Sequence, residues 1–503
     1  MGLCARASLA TVMRLWLLPA SAFLGLFLGL GCTGLGFAPE DEAPPQIARS
    51  LVRILNHSQR GDWYTPWNLG PARQSSATGF VIAGERVMTN AHVVSDTRVL
   101  LLYVHGDPTP HQARVVAIAH DCDLALIEPV EPGVLKGLPA MRFGGLPALR
   151  STVETYGYPA GGEGLSSTRG VVSRIEHGIY AHSAGDAHLA VQTDAALNPG
   201  NSGGPVVQDG RVVGVAFQTT SDLENVGFFI PTEVVDHFLD DVADGRYDGY
   251  PDLGVRVMNL ENSAARKQAR LAPGQTGVRV DFIYPGSSAE GFLSEGDVLL
   301  EVEGRPISND GSVDAEGLRF RFEMLIDRRQ VGEGLRVAIL RDGERLELQI
   351  PMRRYAPFDL YRRVYDELPR YYVYAGLVFV PLTSELFAAL GGNVPSHMVY
   401  EAYLRPVAES TDLRRESVVL LRRLDHEANS DMAWYVNLIV DQVNGQRIDS
   451  LEGLIDAIES NRGPYQVLEF GYYGRMGVLE RAVAEAAHEE VLEIYGIPVD
   501  RRL

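Results

Sequence analysis

The stretch Asn198-Pro199-Gly200-Asn201-Ser202-Gly203-Gly204-Pro205 constrains this chain more than any other. A serine stands between glycines, after a Pro-Gly turn and before the strand-like run Pro205-Val206-Val207. Glycine accepts backbone angles that side chains forbid. Such a loop can aim several N–H groups at one point while its hydroxyl stays exposed. A nucleophilic serine with an oxyanion hole requires that geometry. A glycine-rich hairpin with an incidental serine has the same local sequence, so other segments must decide.

Residues 47–245 read as short strands between Gly, Pro and Asp turns, the pattern of an all-β sandwich or barrel. Candidate strands run from Ala77–Ile82 to Val226–Ile230, and a helix over Thr232–Val242 follows Pro231. Two small packed barrels fit this series. Residues Asn56–Ser76, with Trp63, Tyr64 and Trp67, read as a loop. Two segments complete the chemistry: Thr89-Asn90-Ala91-His92-Val93-Val94 and Asp121-Cys122-Asp123-Leu124-Ala125-Leu126-Ile127. A serine hydroxyl is a poor nucleophile without a base near neutral pKa, and that base needs a partner to fix its tautomer. His92, Asp123 and Ser202 supply these groups in the order His–Asp–Ser, which is not the order of subtilisins or α/β-hydrolases. A lone histidine beside a strand is more often structural, and Asp121 shares a strand face with Asp123. Asp123 is preferred because it directly precedes an apolar run and can be buried against the imidazole. Asp121 then caps the turn, and Asp96 and Asp194 brace loops.

These three motifs resemble those of the HtrA/DegP serine proteases, in which a trypsin-like domain precedes one or two PDZ domains. The resemblance implies a mostly β fold: a chymotrypsin-like double β-barrel followed by two α+β PDZ domains. It implies Ser202 as nucleophile, His92 as general base and then acid, and Asp123 as the orienting group. The oxyanion hole would come from N–H groups of Gly200 and Ser202, with Asn201 between them. Gly227-Phe228-Phe229-Ile230-Pro231 is similar to the family segment beside the substrate pocket, which implies substrate contacts from Leu197, Val226, Gly227 and Phe228. Phe229 stands where the family has a small residue, so an altered pocket is expected. In the family, the loop at Asn56–Ser76 regulates the site; a merely packed aromatic loop is the alternative. The family cleaves unfolded or damaged proteins, often after small aliphatic residues, and forms trimers or larger homo-oligomers.

A net charge of -20 argues against nucleic acid as a partner and against a purely electrostatic hold on anionic lipid. The leader carries Arg6 and Arg14 and then an apolar run from Leu15 to Leu30, the plan of an export signal. Gly31-Cys32 is similar to the end of a bacterial lipoprotein signal, which implies a lipid on Cys32 and a periplasmic, membrane-anchored body. Cleavage after Ala38 and an uncleaved span remain alternatives. Residues 32–46 read as a tether. Cys122 is the lone cysteine of the body. The sequence contains no nucleotide loop, metal cluster or cofactor motif, so no cofactor is expected.

Residues 250–353 form a first tail unit that resembles a PDZ domain. Such domains take an extended chain end as an added strand and hold its carboxylate on backbone N–H groups. Here Leu253-Gly254-Val255 would form that loop. A helix over Phe320–Ile326 and a hairpin across Asp342-Gly343 are expected. Residues 354–372 read as a linker, in which arginines interleave with tyrosines. A weaker copy occupies residues 373–503, with a helix over Leu451–Ile458 and a terminal helix over Ala482–Ile494. Its glycine loop departs from the family pattern, so it would bind a neighbouring subunit or an internal segment. The run from Pro381 to the C-terminus is most similar to the plant-type Deg branch. The expected function is ATP-independent endoproteolysis of unfolded proteins in the cell envelope. A PDZ-based holdase or scaffold with little proteolysis is one alternative, and a regulatory protease of a single membrane client is another.

Overall fold

The computed structural model describes residues 45–159, 164–219, 227–355, 363–405, 414–471 and 474–503. The leader, Cys32 and the tether up to Pro44 lie outside the described residues.

After a short helix α1 (Pro45–Ser50), six strands close a barrel: β1 (Leu51–Ser58), β2 (Arg73–Ile82), β3 (Arg86–Thr89), β4 (Thr97–Val104), β5 (His111–Ala119) and β6 (Leu124–Pro129). One-turn helix α2 (Ala91–Val94) interrupts between β3 and β4. A second closed barrel follows from β7 (Thr152–Gly157), β8 (Ser166–Ile179), β9 (Ala187–Thr193), β10 (Pro205–Gln208), β11 (Arg211–Thr219) and β12 (Gly227–Pro231). Helix α3 (Thr232–Asp241) then seals that barrel with Val234, Val235 and Phe238.

One strand escapes the sequence reading. Asn56-His57-Ser58 continue β1 and Arg73–Ser76 open β2, so the expected loop is shorter at both ends. Closure demands it, since β1 pairs with β2 on one side and β4 on the other. What remains of the loop packs on the far end of the chain. Arg502 donates to the Pro66 carbonyl, Trp67 meets Tyr371 edge-on at 6.1 Å, and the Arg422 guanidinium lies 4.8 Å over Tyr64.

The first tail unit contains β13 (Val255–Asn259), helix α4 (Ser263–Gln268), β14 (Val278–Ile283), β15 (Val298–Val302), β16 (Arg305–Pro306), β17 (Ser312–Ala315), β18 (Leu318–Arg321), helix α5 (Glu323–Ile326), β19 (Gly334–Arg341) and β20 (Glu344–Pro351). The sheet order β13-β14-β15-β19-β20 leaves β13 as an edge that no strand covers among the described residues. The expected hairpin is present, turning at Asp342 (φ 51°) and Gly343 (φ 89°). The expected helix over Phe320–Ile326 is shorter: Phe320 and Arg321 belong to β18, because Leu318-Arg319-Phe320-Arg321 alternates with the period of a strand.

The second unit builds one sheet in the order β27-β26-β24-β23-β22-β21-β28, from β21 (Tyr371–Tyr374), β22 (Leu377–Pro381), β23 (Val418–Arg423), β24 (Leu438–Val443), β26 (Tyr465–Phe470), β27 (Arg475–Glu480) and β28 (Arg501–Arg502), with β25 (Gln446–Arg447) off β24. Helices Leu451–Glu459 and Arg481–Ile494 stand where the sequence places them. The turn Ala375-Gly376 is a tight hairpin whose carbonyls are taken by Asn429 Nδ2 and Leu424 N–H. The flank of β22 is covered by β21, whose own flank is covered by β28.

One hydrophobic cluster runs without interruption from Phe80 and Leu124 through Val215, Phe229 and Phe238 to Val280, Phe322 and Ile339. The second barrel and the first tail unit therefore share a core. At their junction a single oxygen, Asp327 Oδ2, accepts from His188 Nδ1 at 3.0 Å and His177 Nε2 at 3.2 Å. Burial opposes charge on both partners, but the Asp327 charge holds His188 above its ordinary value and the histidines hold Asp327 below its own. A raised histidine contributes stability that is complete below the unfolded value near 6.5 and fades as pH rises through the folded value. The expected result is that this pair adds a downward slope to the melting temperature of the full chain as pH rises from about 6 to about 8, against the upward slope contributed by the depressed histidines His182 and His237. Asp327→Asn flattens that slope, and differential scanning calorimetry at the two pH values checks it.

Candidate active site

Three segments from both barrels meet at their interface. Thr89, at the end of β3, hands the chain to α2, which places His92 on a single helical turn. Buried Asn56 pins that turn by donating to the carbonyls of Val93 (2.9 Å) and Ser95 (3.2 Å). Asp123 sits immediately before β6 with φ of 54°, a left-handed conformation that aspartate tolerates better than most side chains. Its main-chain carbonyl accepts from Asn90 Nδ2. Asp123 Oδ1 accepts the His92 backbone N–H at 2.8 Å, and Oδ2 accepts from the ring Nδ1 at 2.7 Å. Both carboxylate oxygens are thus spent on one histidine, fixing its backbone and its tautomer.

Burial opposes charge on the His92 ring, but the Asp123 carboxylate outweighs it and holds the imidazole above its ordinary pKa. The same pairing overcomes burial at Asp123 and holds that carboxyl below its usual range. Asp121 points elsewhere, accepting from Cys122 N–H and the Tyr247 hydroxyl. Asp194 accepts Val171 N–H, and Asp96 pairs with Arg60. Both are braces.

The Ser202 loop is held by a residue that sequence reasoning missed. Thr78, buried on β2 of the first barrel, donates its N–H to the Ser202 carbonyl (3.0 Å) and its hydroxyl to the Gly200 carbonyl (2.7 Å). The same hydroxyl accepts Tyr158 N–H. A polar side chain inside the run Ala77–Ile82 was the available signal. Gly203 (φ 80°) has no room for a side chain: a Cβ there would lie 2.2 Å from the Thr78 carbonyl oxygen and Thr89 Oγ1. Asn201 N–H closes a turn onto the Asn198 carbonyl. Among the described residues, the N–H groups of Gly200 and Ser202 make no hydrogen bond, and neither does the Ser202 hydroxyl. Two unspent amides therefore flank a half-buried hydroxyl. No hydrogen bond joins Ser202 Oγ to His92; such bonds commonly close only with substrate bound.

Of the expected substrate contacts, Leu197 packs on Gly227, where a Cβ would meet Leu197 Cγ at 2.7 Å. Phe228 is half-buried beside them, and Val226 lies outside the described residues. Phe229 faces the other way. It is fully buried against Gly214 within the barrel, so its size fills the core and does not reshape a groove. Burying such a ring contributes about 1.5–3 kcal/mol.

In the first tail unit Leu253 is buried, and its carbonyl accepts Ala289 N–H. Gly254 (φ 69°) donates its N–H to Asp252 Oδ1 at 2.7 Å. A carboxylate of the chain itself therefore occupies one donor of the expected carboxylate loop. Val255 opens the edge strand β13.

A trypsin-like peptidase domain model matches residues 77–215, and a PDZ domain model matches residues 361–502. Protease Do-like 4, mitochondrial, of Arabidopsis thaliana is 34% identical over 451 residues, covering 89% of this chain and 84% of its own. Protease Do-like 2, chloroplastic, of the same plant is 36% identical over 460 residues, covering 90% of this chain and 74% of its own. A solved HtrA-type protease, AlgW with a tripeptide, is 25% identical with a TM-score of 0.48, covering 61% of this chain and 94% of that one.

Proposed function

Because the chain belongs to the HtrA/Deg family of trypsin-like serine proteases, we propose that it is an ATP-independent endopeptidase that degrades unfolded or damaged proteins. One observation carries the assignment of residues: a carboxylate-held imidazole and a serine loop with two unspent amides, fixed to the same barrel interface. Ser202 attacks the scissile carbonyl while His92 takes its proton and later delivers it to the leaving amine. Asp123 holds the ring and stabilises the imidazolium. Gly200 and Ser202 N–H groups receive the oxyanion, and Asn201 is the spacer between them.

Substrate capture is assigned to the first tail unit. Among the described residues its edge strand β13 is unpaired on one side, where it can take an extended peptide as an added strand. The equivalent flank of the second unit is already occupied by β21 and β28, which supports an internal contact there. Assembly into a homotrimer or larger homo-oligomer rests on family membership alone. Export, a periplasmic address and a lipid on Cys32 rest on the leader alone; the names of the plant relatives, mitochondrial and chloroplastic, lend the periplasm no support.

Labelling with a fluorophosphonate probe tests the nucleophile. The expected result is one modified residue, Ser202, with a labelling rate raised by a peptide that engages β13. Modification at another serine overturns the assignment.

A further inference from the structure

The linker between the two tail units does not hang free; its stretch from Arg363 straps across the first barrel beside His92. The His182 ring, in the loop after β8, lies 6.1 Å from the His92 ring, centre to centre. Tyr365 of the linker stacks on His182 at 4.0 Å and on His120 at 4.9 Å. Its hydroxyl donates to the His182 carbonyl at 2.8 Å. Behind the stack, His182 Nε2 and His120 Nδ1 are 2.9 Å apart, and His120 Nε2 is 3.0 Å from Asp366 Oδ2. With both rings neutral the proton order is fixed: His182 donates to His120, and His120 donates to the carboxylate. The strap is tied at both ends. Asp366 and Asp96 exchange backbone-to-carboxylate hydrogen bonds, and Arg60 binds Asp96, the Val364 carbonyl and Glu385 of the second tail unit.

We propose that Tyr365, through His182, is a positioning residue of the peptidase site: it closes one flank of the His92–Asp123 pair, and it belongs to the linker rather than to the protease barrels. This rests on the assignment of His92 and Ser202 above. The groups facing that flank are Asp123 before β6, His120 in the β5–β6 turn, His182 after β8, Arg363, Tyr365 and Asp366 from the linker, and Arg60 after β1, whose guanidinium lies 4.9 Å over the Tyr365 ring. Burial pushes His182 down to about 4, so at working pH it is an uncharged ring beside the pair. Burial also opposes charge on His92. Removing the cover admits water, which relieves that penalty but also screens the Asp123 charge that outweighs it, so the pH at which His92 loses its proton falls back toward that of an ordinary imidazole.

The test uses the full chain and a quenched, unstructured peptide substrate, with kcat and KM measured against pH. Tyr365→Ala lowers kcat by about tenfold through looser placement of the base and moves the acid limb of kcat/KM down by about half a unit. Tyr365→Phe keeps the stack and restores both. His182→Ala reproduces the alanine effect, and the double variant adds little to either single one, because both act through the same pair. If Tyr365→Ala fails to fold, His182→Ala carries the test. Unchanged kcat and an unmoved limb in a folded alanine variant overturn the proposal, as does a rise in kcat, which would make the strap an obstruction. Fluorophosphonate labelling separates the two failures. Labelling that persists in Ser202→Ala sinks the assignment of the site itself, whereas labelling confined to Ser202 with indifferent Tyr365 variants sinks only the role of the strap.

Discussion

Ser202→Ala abolishes casein cleavage, with kcat falling by about 10⁶-fold as when one member of such a triad is removed. The loss is chemical and not structural. The Ser202 hydroxyl makes no hydrogen bond among the described residues, and the loop is held by its backbone through Thr78 and by Gly203, which the substitution leaves alone. The variant should therefore melt with the parent protein and still capture peptide on β13. A gel assay of casein digestion beside a thermal melt checks both halves. The same pair of proteins separates a protease from a holdase: equal protection of an aggregating client by both, with no proteolysis by either, would replace the enzyme reading by the peptide-binding one.

Asp123→Asn is expected to lower kcat by about 10⁴-fold with the fold intact. Asparagine is isosteric and tolerates the left-handed backbone that this position requires. What it cannot do is accept through both terminal atoms. Asp123 serves His92 twice, at the backbone N–H and at Nδ1. An amide that keeps the first contact turns its NH₂ toward the ring and selects the wrong tautomer. The direction of the pH effect also follows. The carboxylate is what raises His92, so its loss leaves burial unopposed, and the acid limb of the residual activity moves to lower pH. A limb that stays in place would mean that another carboxylate holds the ring.

The candidate site was legible because its motifs are local. His92, Asp123 and Ser202 each sit in a short motif whose glycines, asparagines and apolar flanks prescribe the backbone around them. Thr78 was not legible, because its role depends on the other barrel arriving beside it. The same holds for Tyr365 and Asp366, which meet His182 and His120 only after the whole first tail unit has intervened. Errors in the elements have simpler causes. The Leu318–Arg321 alternation is a strand period that the neighbouring apolar residues disguised as a helix. Phe229 was expected to alter the pocket because it stands where the family has a small residue, yet it is buried in the barrel against Gly214, since successive residues on a strand face opposite ways. β1 escaped because its second half, Asn56-His57-Ser58, is polar and resembles the start of a loop, although Asn56 is buried and clamps the His92 turn.

The apolar cluster shared by the second barrel and the first tail unit has a consequence for modularity. Along the polymer, Tyr247–Pro251 looks like a hinge between separable parts, but the free energy of folding does not respect that frontier. Residues on both sides, Phe238 and Tyr250 with Val280 and Phe322, shield one another from water. The barrels do not carry their companion as a detachable accessory; each supplies part of the other's interior, so excising either one leaves a wound and not a surface.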